Sequence, residues 1–371
     1  MKFAYNIFYR LLPIRKINAD NRLFILNDTE IRMIRRKEKF AIWTAAFFGA
    51  MGVILLYVPQ YVFPHLFPVT AIRIFGRIFS VPLIMILYSI VLVIIEILLL
   101  TFLNIWCTHE IAVATGFLTI QNKHVKDTRN LLINIGLEKK NKQVLQYGID
   151  PLQGINKKAL IVWNFFFILK ATLSNILFKI LVQRLFARFA ITKYAAEAVA
   201  NFAGVPIFAA WNAYGTHIIL KEARVIIMGQ NLIEDVCRRI RKDQQPTTAF
   251  KELLYDTLQY IAVSKRDFHQ NHFILTKNLF EIYNMQPKEE HWLESGYYEK
   301  LKAAGKEERE ACQLIIVLGF LLDGKLSLRE KMQVNELQRE DLLDLGDKEI
   351  KNYQRDFLNG KGVDNLINRY L

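Results

Sequence analysis

Residues 40–58, FAIWTAAFFGAMGVILLYV, carry no charged side chain, and residues 83–106 are apolar almost throughout. Beyond residue 247 the pattern changes, and apolar positions recur every three to four residues between charged ones. The first pattern suits a helix crossing a bilayer, which needs about 20 apolar residues in a row. The second belongs to helices with one buried face. The chain is therefore expected to be an all-α helical membrane protein. It should have two transmembrane helices, a membrane-apposed helical pair and a C-terminal cytoplasmic helical domain.

The first long helix should start near Asn27 or Asp28, where ILNDTEIRMI offers capping side chains and places Glu30 in the first turn. Pro59 is expected to end it. Ala45, Gly49 and Gly52 make a small-residue face on which another helix can approach closely. The Pro- and aromatic-rich connector PQYVFPHLFPVTAIRIFGR reads as a short turn at headgroup level. The second span should begin at Ser80 as N-cap, with Pro82 in the first turn, and run through Trp106.

The stretch ALIVWNFFFILK that follows is too short to cross and is broken by Asn164. After it, Leu177, Leu181, Leu185 and Phe189 alternate with Lys179, Arg184, Arg188 and Lys193, the composition of an interfacial helix. If this segment and VANFAGVPIFAAWNAYGTHIIL both crossed, Arg184 and Arg188 would lie outside, against the positive-inside rule. A re-entrant or inner-interface pair is favoured, with four spans as the alternative. The expected organisation is a basic cytoplasmic segment over 1–39, a transmembrane hairpin over 40–106, the membrane-apposed region over 107–242 and a helical domain over 247–371. Helices in the last are expected near 250–263, 272–283, 292–303, 307–322, 327–343 and 348–358.

The net charge of +14 is read by its position. Arg32, Arg35, Arg36 and Lys37, in RMIRRKEKF, run straight into the first span, and Arg184 and Arg188 sit in the interfacial segment. This distribution suits anionic lipid headgroups, and no nucleic-acid partner is expected. Cys107, Cys237 and Cys312 are widely spaced and read as free thiols in a reducing compartment. The opening MKFAYNIFYRLLPIRK lacks the pattern of a removable signal, so the first span is expected to stay as an anchor.

Glu96 is the one carboxylate inside the second span. It could serve a proton or ion relay, but a relay needs a second ionisable group at similar depth, and the first span has none. A clasp to a neighbouring helix, through Thr44 or Tyr57, is the expected role. Glu197, Asn212 and His217 form a polar group in an Ala- and Gly-rich setting and are expected to bridge helices, with a His217–Glu197 catalytic pair as the alternative. His269, His272 and His291 read as solvated polar faces, and Cys107, His109 and Glu110 in WCTHE point in different directions on a helix. No phosphate-binding loop or nucleophile elbow is present, so neither enzyme activity nor a cofactor nor a metal site is expected.

The sharpest local signal is LIIVLGFLLDGKLSLREKMQVNEL. A helix should end at Asp323 and Gly324, the glycine taking a left-handed turn, and Ser327 with Glu330 should form the capping box of the next. This hairpin resembles the TerB-like helical domains of bacteria over residues 311–345, and Asp323 and Glu330 match family positions sometimes linked to metal binding. A single acidic position precedes the glycine, which departs from an EF-hand loop. Residues 180–229, above all AGVPIFAAWNAYGTHIILKEARVIIMG, resemble the helical region of EcsC-like membrane-associated proteins. The excess of Lys and Arg on the flanks of the spans is expected to keep both termini cytoplasmic. Together the two resemblances imply a bacterial inner-membrane scaffold or regulatory protein, acting in envelope or metal and oxyanion stress. Its cytoplasmic domain would bind partner proteins. The alternative is a transporter or ion-conducting accessory built around Glu96.

Overall fold

Asn27 and Glu30 open the first helix by reciprocal capping: each backbone N–H donates to the other's side chain at 2.8 Å. In the computed structural model this helix, α1, runs Asp28–Val62. The structure describes residues 26–68, 70–74, 77–81, 83–115, 142–153, 202, 204–240, 246–267, 269–293 and 296–371.

Pro59 does not end α1, which continues through it for another three residues. A proline inside a helix has no N–H for the carbonyl four residues back. Here that carbonyl belongs to Leu55, and Tyr88 Oη donates to it at 2.8 Å. The lost backbone bond is replaced by a side chain from the second long helix, which explains why the chain need not turn at Pro59.

The expected short turn between the spans is instead a two-stranded antiparallel hairpin. β1 (Thr70–Ile74) pairs with β2 (Arg77–Val81), with Thr70 opposite Val81 and Ile74 opposite Arg77. The segments TAIRI and RIFSV are rich in β-branched residues, which favour extended backbone. Ser80 accordingly lies in β2 and is not a helix cap. Val81 precedes Pro82, a position biased towards extended structure, and α2 (Leu83–Ala114) begins only after it. Apart from this hairpin the secondary-structure elements among the described residues are helices, as the sequence predicts.

Both α1 and α2 are long and apolar enough to cross a membrane, with mean hydropathies of 2.0 and 3.0 in their most apolar windows. α3 (Gly204–Ile240) is one continuous helix across Leu220, where the sequence pattern changes from apolar to charged.

The described chain forms two compact units. The first contains 36–107 and 202–220. In it the small-residue face of α1 receives both neighbours. A Cβ at Gly49 would lie 2.4 Å from the Phe208 carbonyl oxygen of α3, and one at Gly52 would lie 3.0 Å from Glu96 Oε2 of α2.

The second unit contains 26–35, 108–153 and 221–371 within the described residues. After α3 come α4 (Thr248–Lys265), α5 (Gln270–Ile282), α6 (Tyr297–Ala303), α7 (Lys306–Leu321), α8 (Leu328–Arg339), α9 (Asp347–Leu358) and α10 (Asp364–Tyr370). Helices α4 to α9 lie close to the expected positions, and α10 was not foreseen. At the centre α7 is buried over Leu314–Leu322, and Gly319 lets α4 come so close that a Cβ there would sit 2.6 Å from Ile261. The three cysteines are buried and form no disulfide.

The replacement bond at Pro59 can be tested by Tyr88→Phe, which leaves the Leu55 carbonyl without a donor. The variant should be about 1 kcal/mol less stable than the parent to unfolding in detergent. An unchanged midpoint would mean the carbonyl finds another partner.

Candidate functional site

Two polar centres sit inside the helical packing, one in each unit. In the first, Glu96 lies mid-way along α2, half-buried, and its Oε1 accepts a hydrogen bond of 2.6 Å from Asn212 Nδ2 of α3. Gly52 of α1 gives the carboxylate room. The partner is thus Asn212, and not Thr44 or Tyr57. An amide answers the carboxyl within the helix bundle, where leaving a polar group unpaired in apolar surroundings would cost several kcal/mol. His217 is exposed on α3. Glu197, Arg184 and Arg188 lie outside the described residues.

Of the basic cluster, Arg32 donates through Nε to the Asp28 carbonyl at 3.1 Å, and Arg35 donates to Asn359 Oδ1 at 3.1 Å. Arg36 is exposed, and Lys37 Nζ lies 4.7 Å from the centre of the Trp106 ring.

The second centre is built around the hairpin residues. Gly324 takes the left-handed turn at φ 68°, and Ser327 and Glu330 form the expected capping box at the start of α8. Lys265, the last residue of α4, enters this turn. Its ammonium lies 2.8 Å from Asp323 Oδ1, pairs with Glu330 Oε1, and donates to the Phe320 carbonyl at 3.3 Å. The side chains of Lys265, Asp323 and Glu330 are 2%, 4% and 2% exposed, so the group is sealed from water. Two carboxylates and one carbonyl thus surround the ammonium. Glu330 Oε2 accepts from the Ser327 backbone at 2.7 Å, and the positive end of α8 offsets the second carboxylate. The position between Asp323 and Glu330 where a metal cation would sit is filled by lysine.

His272 lies against the same turn, contrary to the expectation of a solvated face. It is buried, and its Nε2 donates to the Gly319 carbonyl at 2.9 Å. Burial, reinforced by the Lys265 charge, pushes its pKa down to about 3. Next to it Asn271 Nδ2 donates to the carbonyls of Val225 and Leu322 at 2.9 and 2.7 Å, with Gly229 leaving space for the amide. His269 caps α5 and lies 3.0 Å from Glu222. A cavity of about 20 Å³ lined by Asp267, His269, His272 and apolar side chains is the size of one water molecule. It is far below the several hundred Å³ of a ligand pocket.

His291 is buried as well. Its Nε2 lies 2.8 Å from Asp256 Oδ1, Lys300 Nζ lies 3.1 Å from Asp256 Oδ2, and the imidazole stacks on Tyr255 with centroids 4.0 Å apart. Burial alone would raise the Asp256 carboxyl, but the bonds from His291 and Lys300 outweigh it and hold the group below its usual range. An Asp–His pair can prepare a nucleophile. The hydroxyls nearest to this one in sequence are engaged elsewhere: Tyr255 Oη with the Tyr147 carbonyl, and Thr257 Oγ1 with the Leu253 carbonyl at 2.8 Å.

Lys265, Asn271 and Asp256 carry these centres and were not singled out by sequence. Lys265 left a trace: it continues the apolar face of Leu258, Ile261 and Ala262, so a cation was being placed on a buried stripe. Among the described residues no group of three or more metal-ligating side chains converges. No protein-family model, curated protein or solved structure matches the chain.

Two outcomes test this centre. Lys265→Met strands two buried carboxylates and should cost about 3–5 kcal/mol, whereas the triple change K265M/D323N/E330Q should recover most of that loss. Chemical unfolding of the full chain in detergent reads both. For His272 the folded value lies below the unfolded one, so the unfolded chain binds the extra proton. Stability is then fully present above about pH 6.5 and falls by about 1.4 kcal/mol per pH unit on acidification towards pH 3. His272→Gln should flatten that slope between pH 5 and 7, and an unchanged slope would show that other groups set it.

Proposed function

We propose that this protein is a scaffold or regulatory protein of the bacterial inner membrane. Helices α1 and α2 anchor it, both termini face the cytoplasm, and the helices after residue 221 bind partner proteins without catalysis. The observation that carries this reading is what the buried charges touch. Asp323 and Glu330 are held by Lys265, and Glu96 by Asn212. Each is spent on joining helices.

The anchoring is supported by α2, none of whose most apolar window is buried inside the protein. Such a surface is costly in water and favourable in lipid. The basic residues in the first turns of α1 support a cytoplasmic position for that end. The likeness of 311–345 to TerB-like domains and of 180–229 to EcsC-like proteins fits a role in envelope or metal and oxyanion stress.

A second reading, a transporter or ion-conducting accessory, is favoured by one observation only: Glu96 and Asn212 form a polar pair within an otherwise apolar set of helices. Glu96→Gln separates the two, since glutamine can still accept from Asn212. In the scaffold reading, the variant co-purifies with the same stoichiometric protein partner as the parent, and proteoliposomes of the parent show no cation flux. A proton or cation flux in the parent that disappears in Glu96→Gln would overturn it.

A further inference from the structure

Helix α8 presents two unlike faces. Glu330, Val334 and Leu337 point into the second unit and are buried. On the opposite side Leu328 and Met332, one turn apart, are 77% and 65% exposed, and Asn335 continues the same exposed face. Among the described residues of this unit, no other large apolar side chain is as exposed. Arg329 and Lys331 flank them on either side, and exposed Lys325 stands just before the helix. The acids of α8 do little to offset these cations. Glu330 is consumed inside by Lys265, and Glu336, one turn beyond Met332, is hydrogen-bonded to Tyr298. Asp267 approaches Lys325 only at 4.0 Å.

A pair of protruding apolar side chains ringed by cations, at the positive end of a helix, combines the two features by which a peripheral helix holds an anionic bilayer. We infer that the outward face of α8 docks on an anionic lipid surface, with Leu328 and Met332 entering the headgroup boundary and Lys325, Arg329 and Lys331 meeting phosphates. An acidic peptide would satisfy the same charges. The bilayer is favoured because the chain already carries two helices of membrane-spanning length and hydropathy, and tethering raises the local concentration of lipid around a weak contact. The inference rests on the anchoring reading of α1 and α2.

The test uses the full chain in nanodiscs of phosphatidylcholine alone or mixed with phosphatidylglycerol. A fluorophore is placed at Asn335→Cys, with brominated lipid as quencher; the native cysteines are all buried. Quenching at 335 should be several-fold stronger in the anionic discs, and both L328E/M332E and R329E/K331E should abolish the difference. Equal quenching in the two discs overturns the inference. So does a label that stays in water in both discs and is shielded only by added polyglutamate, which would assign the face to an acidic protein. A second label at Ile94→Cys, on α2, reads the anchoring separately. If it escapes the brominated lipid the anchoring reading fails, whereas quenching at 94 with none at 335 removes only the docking face.

Discussion

Lys265 is the point at which α4 meets the hairpin between α7 and α8, and the packing of the second unit is organised around it. A lysine with 2% exposure cannot remain there unless its charge has partners. Asp323, Glu330 and the Phe320 carbonyl are those partners, and all three belong to the end of α7 or the start of α8. Sliding α4 by one turn would strand three charges at once. A buried pair of this kind is seldom a large net gain over apolar side chains of the same volume. Its effect is to make one arrangement of the hairpin far better than its neighbours. Gly319 then allows α4 and α7 to close to contact, and Asn271 ties the end of α7 to α3.

The first unit meets the same constraint with different groups. Where the surroundings are apolar, a polar atom with no partner is costly, and two polar irregularities there are answered across helices. Proline interrupts the backbone bonding of α1, and Tyr88 donates to the Leu55 carbonyl it leaves open. Glu96 interrupts the apolar surface of α2, and Asn212 donates to it. These contacts join α1 to α2 and α2 to α3. The small residues at Gly49 and Gly52 allow the helices to approach closely enough for that.

Both centres bear on how the carboxylates should be read. Asp323 and Glu330 converge at one turn, and the cation they hold is a side chain of the same protein. Glu96 stands mid-way along an apolar helix, and its contact is an amide. Buried charge is thus used in each unit to join helices. The surface left unexplained by packing is the outer face of α8.

Local signals survive in sequence because they depend on neighbours along the chain. The Asn27 and Ser327 caps, the turn at Gly324, the two long apolar helices and the periods of α4 to α9 all depend on residues within a turn or two. Strand pairing at 70–81, the passage of α1 through Pro59 and the partner of Glu96 do not. The strand pairs reach up to 11 residues apart, with Thr70 opposite Val81, and the other two features are decided by far more distant groups, with Tyr88 33 residues from Leu55 and Asn212 116 from Glu96. The histidines show the limit most plainly. His269, His272 and His291 have the spacing of a polar surface, and only the packing of other helices over them makes them interior. Sequence alone determined where helices form and which faces are apolar, because those follow from local geometry and solvent. Which charges meet was decided by the tertiary structure, because burial and pairing exist only once distant segments are brought together.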